Sequence, residues 1–431
     1  MNTDSILKNL KGRVVGFDCH PDSFTAALLS GRTPAEAVTE KTFTQVPNSQ
    51  LLSWAKKNTT PEDCIALEAS GNSFSMVRKL QSIGRTAVVL ESCHLGKLKI
   101  AHANNDKISA VRIGKAFLAG TAKRVWVPDT LTQERRDCFH MHRKSVKRVT
   151  QTNNRIISYL SDNGVRLNQS VGEMEMSKAM ETIRSERSWS ERQLQLIEAM
   201  LAELNQALTA RRQWESLMAA EVAADPVLLS LTRLCGVRDI VAFAIGAVIG
   251  DIQRFESAKK LVSYVGLNPA FDDSGEGNWS GGIGGHGHKL LRSLLIESAQ
   301  SILRCGRNNL AKWGKKLLAR KGSINIAAAA VARKLVVDIW YLLKGKWDEL
   351  VEIDPPLSLK IGKVLSKIGK ERMKAMGKSR KVMREEIVQK LKTGRVYNLK
   401  PDRKAERQPN NGILSSPPQQ PSTIASEYGL A

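Results

Sequence analysis

The spacing of apolar positions changes character along the chain. Near the N-terminus, RVVGFDCHPDSFTAALLS (13–30) predicts a hairpin of two strands, Val14–Phe17 leading into Asp18 and Phe24–Leu29 returning after the turn at Pro21-Asp22. Cys64–Leu67 is a further apolar strand ending on Glu68. A helical segment from Ser73 to Ile83 follows, then a strand over Thr86–Leu90. Strands that alternate with helices predict an α/β layer. After Pro128 the period becomes helical: Leu131, Phe139, Val146, Val149, Ile156 and Leu160 are packing positions of one long helix. Leu194, Ile197, Leu201, Leu204 and Leu208 then repeat by three and four, as in a short coiled-coil seam or an intramolecular helical hairpin. From Asp225-Pro226 the pattern reads helix, Gly-centred turn (Cys235-Gly236-Val237), helix, and a turn of that kind can offer amides to a phosphate. The fold class expected is α/β plus mainly α.

Between Tyr264 and Arg304 the apolar lead-in stops at Pro269. A loop with Ser274 between Asp273 and Gly275 follows, and then Gly281, Gly282, Gly284, Gly285 and Gly287. Glycine lets backbone approach another polymer closely. Helical spacing resumes at His288, with Leu290, Leu291, Leu294 and Leu295 on one stripe and Lys289 and Arg292 off it. A hydroxyl on such a loop, with cations entering the next helix, suits attack on a phosphodiester. Taken alone, the same stretch also reads as a Gly-rich surface loop with an ordinary serine. Asn325 to Leu343 is a core helix, interrupted by Arg333, Lys334 and Asp338 and so unsuited to a membrane span. From Asp354 the chain is basic and partly helical, and its last residues have the Pro, Ser and Gln content of a disordered tail.

Charge alters this picture. The 431 residues hold 66 Lys and Arg against 42 Asp and Glu, a formal net charge of +24. That excess implies a polyanionic partner, because cations that neutralise phosphates gain affinity through counterion release. The charge is concentrated on the helix after Pro128, where Arg135, Arg136, Arg143, Lys144, Lys147, Arg148 and Arg155 form a basic face beside Asn154. Such a face is either solvated or a contact for a nucleic-acid backbone. No signal peptide or membrane span is expected, and the protein is expected in the cytoplasm. The six scattered cysteines read as reduced thiols; Cys138, His140 and His142 would not share a helix face as a zinc site requires.

Three acids stand at element boundaries: Asp18 and Glu68 at strand ends, and Asp106 in the first turn of the helix opened by Asn104-Asn105. Carboxylates that converge can hold Mg2+ for phosphoryl chemistry. Individually they also read as a turn aspartate, a surface glutamate and a helix-capping residue.

Joined in order, these segments resemble the DEDD transposases of the insertion-sequence one-ten and eleven-eleven families, which include Piv-type invertases. GFDCHPDSFTAAL is similar to their first-acid strand, IALEASGNSF to the glutamate motif and NNDKISAVRIGKAF to the segment of the last acids. VWVPDTLTQERRD and RKSVKRVTQTNNRIISYLSDNG resemble the basic joining helix, and LCGVRDIVAFAIGAVIGDIQRFESAKKLVSYVGLNPAFDDSGEG with GHGHKLLRSLLIESAQ the C-terminal transposase domain. The resemblance implies a RuvC-like (RNase H-fold) domain over 12–125, a basic helical and coiled-coil region over 126–224 and a transposase domain over 225–350; the basic, then disordered, tail over 351–431 is read from composition. It implies Mg2+ held by Asp18, Glu68 and Asp106, with Ser274 as the nucleophile toward DNA. Arg136, Arg143, Lys144, Lys147, Asn154, Arg155, Lys289 and Arg292 are the nucleic-acid contacts expected. One position departs: where the family has a fourth aspartate, this chain has Ser109, which can coordinate a metal or its water without adding charge. Implied partners are donor and target DNA, a structured bridge RNA that guides the reaction, and further copies of the chain in a homo-oligomer with a composite active site; nucleoid association follows. The competing readings are a RuvC-like nuclease that uses water and a non-catalytic nucleic-acid-binding relative.

Overall fold

The computed structural model describes residues 4–97, 105–272, 279–346, 353–369, 373, 377 and 379–393. Helix α1 (Asp4–Lys8) precedes an antiparallel meander of β1 (Val14–Cys19), β2 (Ser23–Ser30) and β3 (Val38–Pro47). Helix α2 (Leu51–Asn58), β4 (Cys64–Glu68), α3 (Ser73–Ser82), β5 (Thr86–Leu90), α4 (Ser92–Lys97), α5 (Asp106–Leu118) and the short β6 (Arg124–Val125) complete this α/β unit. The sheet order is β3-β2-β1-β4-β5-β6; β4 runs parallel to β1 and β5 parallel to β4, while β6 is antiparallel.

Alternation divides the sheet into two apolar faces. Val15, Phe17, Ile65, Leu67 and Val89 pack on Leu51, Trp54, Met76 and Leu80 of α2 and α3. Val14, Cys64, Ala66, Val88 and Leu90 pack on Ile113 and Phe117 of α5. Asp18 continues the second set beyond Val14 and Gly16, and Glu68 continues it beyond Cys64 and Ala66. The parallel register, Phe17 beside Leu67, then places both acids at adjacent strand ends on the face that α5 covers.

The remainder is helical. Helix α6 (Thr130–Asp162) starts where Asp129 accepts from the Thr132 amide. Its 33 residues extend about 50 Å at 1.5 Å per residue. Helix α7 (Met176–Glu186) lies within the polar stretch and contributes Ala179 and Ile183 to a core. Helix α8 (Glu191–Ala224) opens on a Ser190–Gln193 capping box and returns along α6, so the Leu/Ile seam is an intramolecular helical hairpin: Ile197, Leu201, Leu204 and Leu208 meet Val149, Ile156 and Leu160.

Helix α9 (Pro226–Leu231), the turn at Gly236 (φ +77°), α10 (Asp239–Ile249) and α11 (Ala258–Val265) lead to a two-stranded hairpin of β7 (Pro269–Asp272) and β8 (Trp279–Ile283). Helices α12 (Lys289–Cys305), α13 (Asn309–Lys321) and α14 (Ile324–Leu343) close the largest apolar core over α10 and α11. The basic segment after Asp354 is folded over part of its length. Helices α15 (Leu357–Ile368) and α16 (Arg380–Thr393) pack Ile361, Leu365, Ile387 and Leu391 against Ala219 of α8 and Leu229 of α9. Buried Lys360 pairs with Asp354 and donates to the carbonyls of Thr232 and Leu234, tying α15 to the turn between α9 and α10. None of the described helices is long and apolar enough to cross a membrane.

Candidate metal centre

Helix α5 reaches the acidic strand ends because Gly16 of β1 and Gly114 of α5 let the two backbones approach closely. A Cβ on Gly16 would stand 1.9 Å from the Ala110 carbonyl oxygen and 2.8 Å from the Gly114 nitrogen. Asn105, not Asp106, caps the helix by accepting from the Ile108 amide at 2.9 Å. Asp106, in the first turn, is thereby left to face the end of β1.

Asp18 and Asp106 meet there with His20, a residue the sequence reading did not single out. One potential ligand atom from each of the three lies within 4.8 Å of the others; among the described residues this is the one such group of three. His20 Nε2 stands 3.4 Å from Asp106 Oδ2 and 3.9 Å from Asp18 Oδ2. It is buried and makes no hydrogen bond. The turn that presents it is clamped: the His20 amide donates to the Ser23 carbonyl, and its own carbonyl accepts from Asn72 Nδ2 at 2.7 Å and Asn48 Nδ2 at 3.1 Å. Asn72 belongs to the segment after Glu68, so the two acidic strand ends are tied together through it.

Burial pushes the Asp18 carboxyl above its usual range; His20 opposes that shift, Asp106 adds to it, and a hydrogen bond from Ser109 and the charge of Arg112 oppose it. The buried Ser109 hydroxyl donates to Asp18 and accepts from Arg112 Nη2 at 3.2 Å. The hydroxyl thus holds Asp18 in place. Cys19 is pushed up to about 12 by burial and by the charges of Asp18 and Glu68, which keeps its thiol protonated and inert. Glu68 thus stands near enough to bear on the Cys19 thiol, but outside the close group of three.

These donors fit a divalent cation. Two ligand atoms about 2.1 Å from one octahedral ion stand about 3 Å apart when adjacent and about 4.2 Å when opposite, close to the separations here. A buried nitrogen with no hydrogen-bond partner faces the two carboxylates.

The other expected site residues divide into two groups. Lys144, Lys147 and Asn154 are exposed on α6, Arg143 is half-buried, and Lys289 is exposed at the start of α12. Arg155 is exposed and pairs with Glu203 of α8 at 2.9 Å. Arg136 and Arg292 are engaged internally. Arg136 donates to the carbonyls of Ala247 and Val248 and stacks over Trp126. Arg292 donates to the carbonyls of Gly266 and His286, closing the base of the glycine-rich segment where Gly266 (φ +84°) and Gly287 (φ +94°) touch. Both are half-buried, and in this structure their guanidinium groups turn toward main-chain carbonyls. Ser274 and Asp273 lie outside the described residues, in the connection between β7 and β8; Ser280 is in β8.

Residues 229–313, from α9 through the hairpin and α12 into α13, match the family described as Transposase IS116/IS110/IS902 family. Over these residues and beyond them the chain is similar to insertion-sequence transposases. It is similar to the transposase for insertion sequence element IS1111A of Coxiella burnetii, 25% identical over 287 residues that cover 65% of this chain and 77% of that protein. A probable family 20 transposase of Pseudomonas aeruginosa is 26% identical over 298 residues, 66% of this chain and 84% of its own length. The transposase for insertion sequence element IS1328 of Yersinia enterocolitica is 23% identical over 304 residues, 70% of this chain and 88% of that one. The transposase-family match thus falls on the helical unit that carries the β7–β8 hairpin, while the Asp18–His20–Asp106 group sits in the α/β unit.

Proposed function

We propose that the protein is a transposase that breaks and rejoins DNA strands for an insertion sequence, with Ser274 as nucleophile and a divalent-cation centre at Asp18, Asp106 and Glu68. The observation that carries this reading is the meeting of Asp18 and Asp106 from distant segments, with Glu68 at the adjacent strand end, in a chain whose residues 229–313 match a transposase family. The sheet supports an RNase H-type, RuvC-like reading of the first unit: an antiparallel meander continued by two parallel strands, with acids ending the first and fourth.

Mg2+ held there would polarise a phosphoryl oxygen and favour attack on phosphorus. Ser109 keeps Asp18 oriented, and Asn72 fixes the β1–β2 turn. Arg292 ties Gly266 to His286 at the two ends of the glycine-rich segment, and Ser274 Oγ would form its bond to phosphorus as a deoxyribose oxygen departs. The serine and the carboxylates belong to different units, which suits a composite site completed between copies of the chain in a homo-oligomer. The excess of positive charge suits both DNA and a structured guide RNA, with base pairing choosing the sequence.

The test is to trap a protein–DNA covalent species from Ser274→Ala and Ser280→Ala. Loss of the adduct in Ser274→Ala alone supports the assignment. An adduct from Ser274→Ala moves the nucleophile elsewhere, and wild-type cleavage with no adduct makes water the nucleophile. Asp106→Asn should abolish recombination and leave nucleic-acid binding in place.

A further inference from the structure

The Ser109 hydroxyl brings no charge to the acidic set and is already committed, donating to Asp18 and accepting from Arg112 Nη2. His20, by contrast, presents a buried nitrogen with no hydrogen-bond partner toward the two carboxylates, 3.4 Å and 3.9 Å from their oxygens. Its main chain is held by Ser23, Asn48 and Asn72, so the imidazole stands on a rigid turn. We infer that His20 is a metal ligand, supplying from the β1–β2 turn the donor that Ser109 does not supply from α5. The inference rests on the metal-centre reading above and concerns which side chains bind the ion.

The chemistry of the ion follows. Magnesium favours an all-oxygen shell, whereas imidazole suits the first-row transition metals. One nitrogen among the carboxylates shifts the preference toward Mn2+ or Co2+ without excluding Mg2+. The half-exposed imidazole and the half-exposed Asp106 carboxylate leave coordination positions open for water or a phosphate oxygen.

The experiment uses the full chain and Mn2+ as probe. Pulsed electron paramagnetic resonance of the Mn2+-loaded protein should show hyperfine coupling to an imidazole nitrogen. His20→Ala and the bulkier His20→Gln should lose that coupling and bind Mn2+ about tenfold more weakly, with a smaller change for Mg2+. Adding Ser109→Asp to His20→Ala should restore affinity, now for Mg2+ as well, without restoring the nitrogen signal. Mn2+ bound in an Asp106-dependent way with no nitrogen coupling would overturn the role of His20 and leave the carboxylate centre standing. Failure of Mn2+ to saturate the protein, or binding indifferent to Asp106→Asn, would remove the centre itself and the inference with it.

Discussion

Gly16 of β1 and Gly114 of α5 face each other so closely that a Cβ on the first would lie 2.8 Å from the backbone nitrogen of the second. The contact seats α5 on the sheet and carries Asp106, two turns earlier, to the end of β1. A methyl at Gly16 would also stand 1.9 Å from the Ala110 carbonyl, and main chain cannot swing away as a flexible side chain does. Gly16→Ala should therefore lift α5, destabilise the protein by about 1–3 kcal/mol and weaken Mn2+ binding sharply. Thermal melting and a metal titration read the two effects. Undiminished metal affinity would show that the convergence of Asp18 and Asp106 does not depend on this contact.

Asn72 offers a gentler disturbance of the same site. Its amide reaches the His20 carbonyl at 2.7 Å across from the Glu68 segment and is the cross-link between the two acidic strand ends. Asn72→Ala should cost about 1 kcal/mol of stability, the typical net worth of one such bond. If the clamp orients the imidazole, Mn2+ affinity should fall several-fold while the carboxylate-dependent share of binding persists. A loss of stability with unchanged affinity would confine Asn72 to holding the turn.

Much of this architecture is legible in the sequence, and what is not has physical reasons. Strands β1, β2, β4 and β5 announce themselves because both sheet faces are covered and their residues run apolar. Strand β3 does not: VTEKTFTQV is an edge strand, exposed along most of its length, so it lacks the apolar signal. The acids at Asp18, Glu68 and Asp106 are visible as element boundaries, whereas His20 joins them only through a turn whose shape depends on Asn48 and Asn72. Sequence reasoning assigns Arg136 and Arg292 by charge alone, and charge does not reveal that a guanidinium points inward to carbonyls. The pairing of Pro269–Asp272 with Trp279–Ile283 is hidden beneath the glycines, which weaken every local strand signal.

Acid should loosen the helical core in a defined window. Buried His142 of α6 stands 3.7 Å from Glu215 Oε1 of α8, while Lys367 of α15 bridges Glu215 at 3.5 Å and Asp239 of α10 at 2.6 Å. The contact with His142, then the charges of Lys367 and Arg211, hold Glu215 down at about 2 against its burial. A depressed carboxyl stabilises the fold fully above its unfolded pKa near 4.5 and loses that contribution as pH falls toward 2. Stability should decline through that interval, with Glu215 contributing on the order of 3 kcal/mol. Glu215→Gln should be less stable at neutral pH and show a shallower acid limb in pH-dependent melting. An unchanged acid limb would place the acid sensitivity elsewhere.

The basic face of α6 separates into side chains turned outward and side chains turned inward, and this separation makes its role measurable. Lys144 and Lys147 are exposed, whereas Arg136 is committed to Ala247, Val248 and Trp126. Each cation that neutralises a phosphate adds close to one to the slope of log affinity against log salt. Lys144→Ala and Lys147→Ala should each flatten that slope by about one for DNA or RNA, leaving melting temperature and target choice unaltered. Arg136→Ala should do the reverse: the carbonyls at the end of α10 lose their donors and Trp126 its stacked partner, so the protein melts earlier while the salt slope stays. Arg155, paired with Glu203, should give an intermediate result, because its charge is already partly neutralised. A slope unaffected by the double lysine variant would assign the outer face of α6 to solvation and send the search for the polyanion contact to Lys289 and the helices after Asp354.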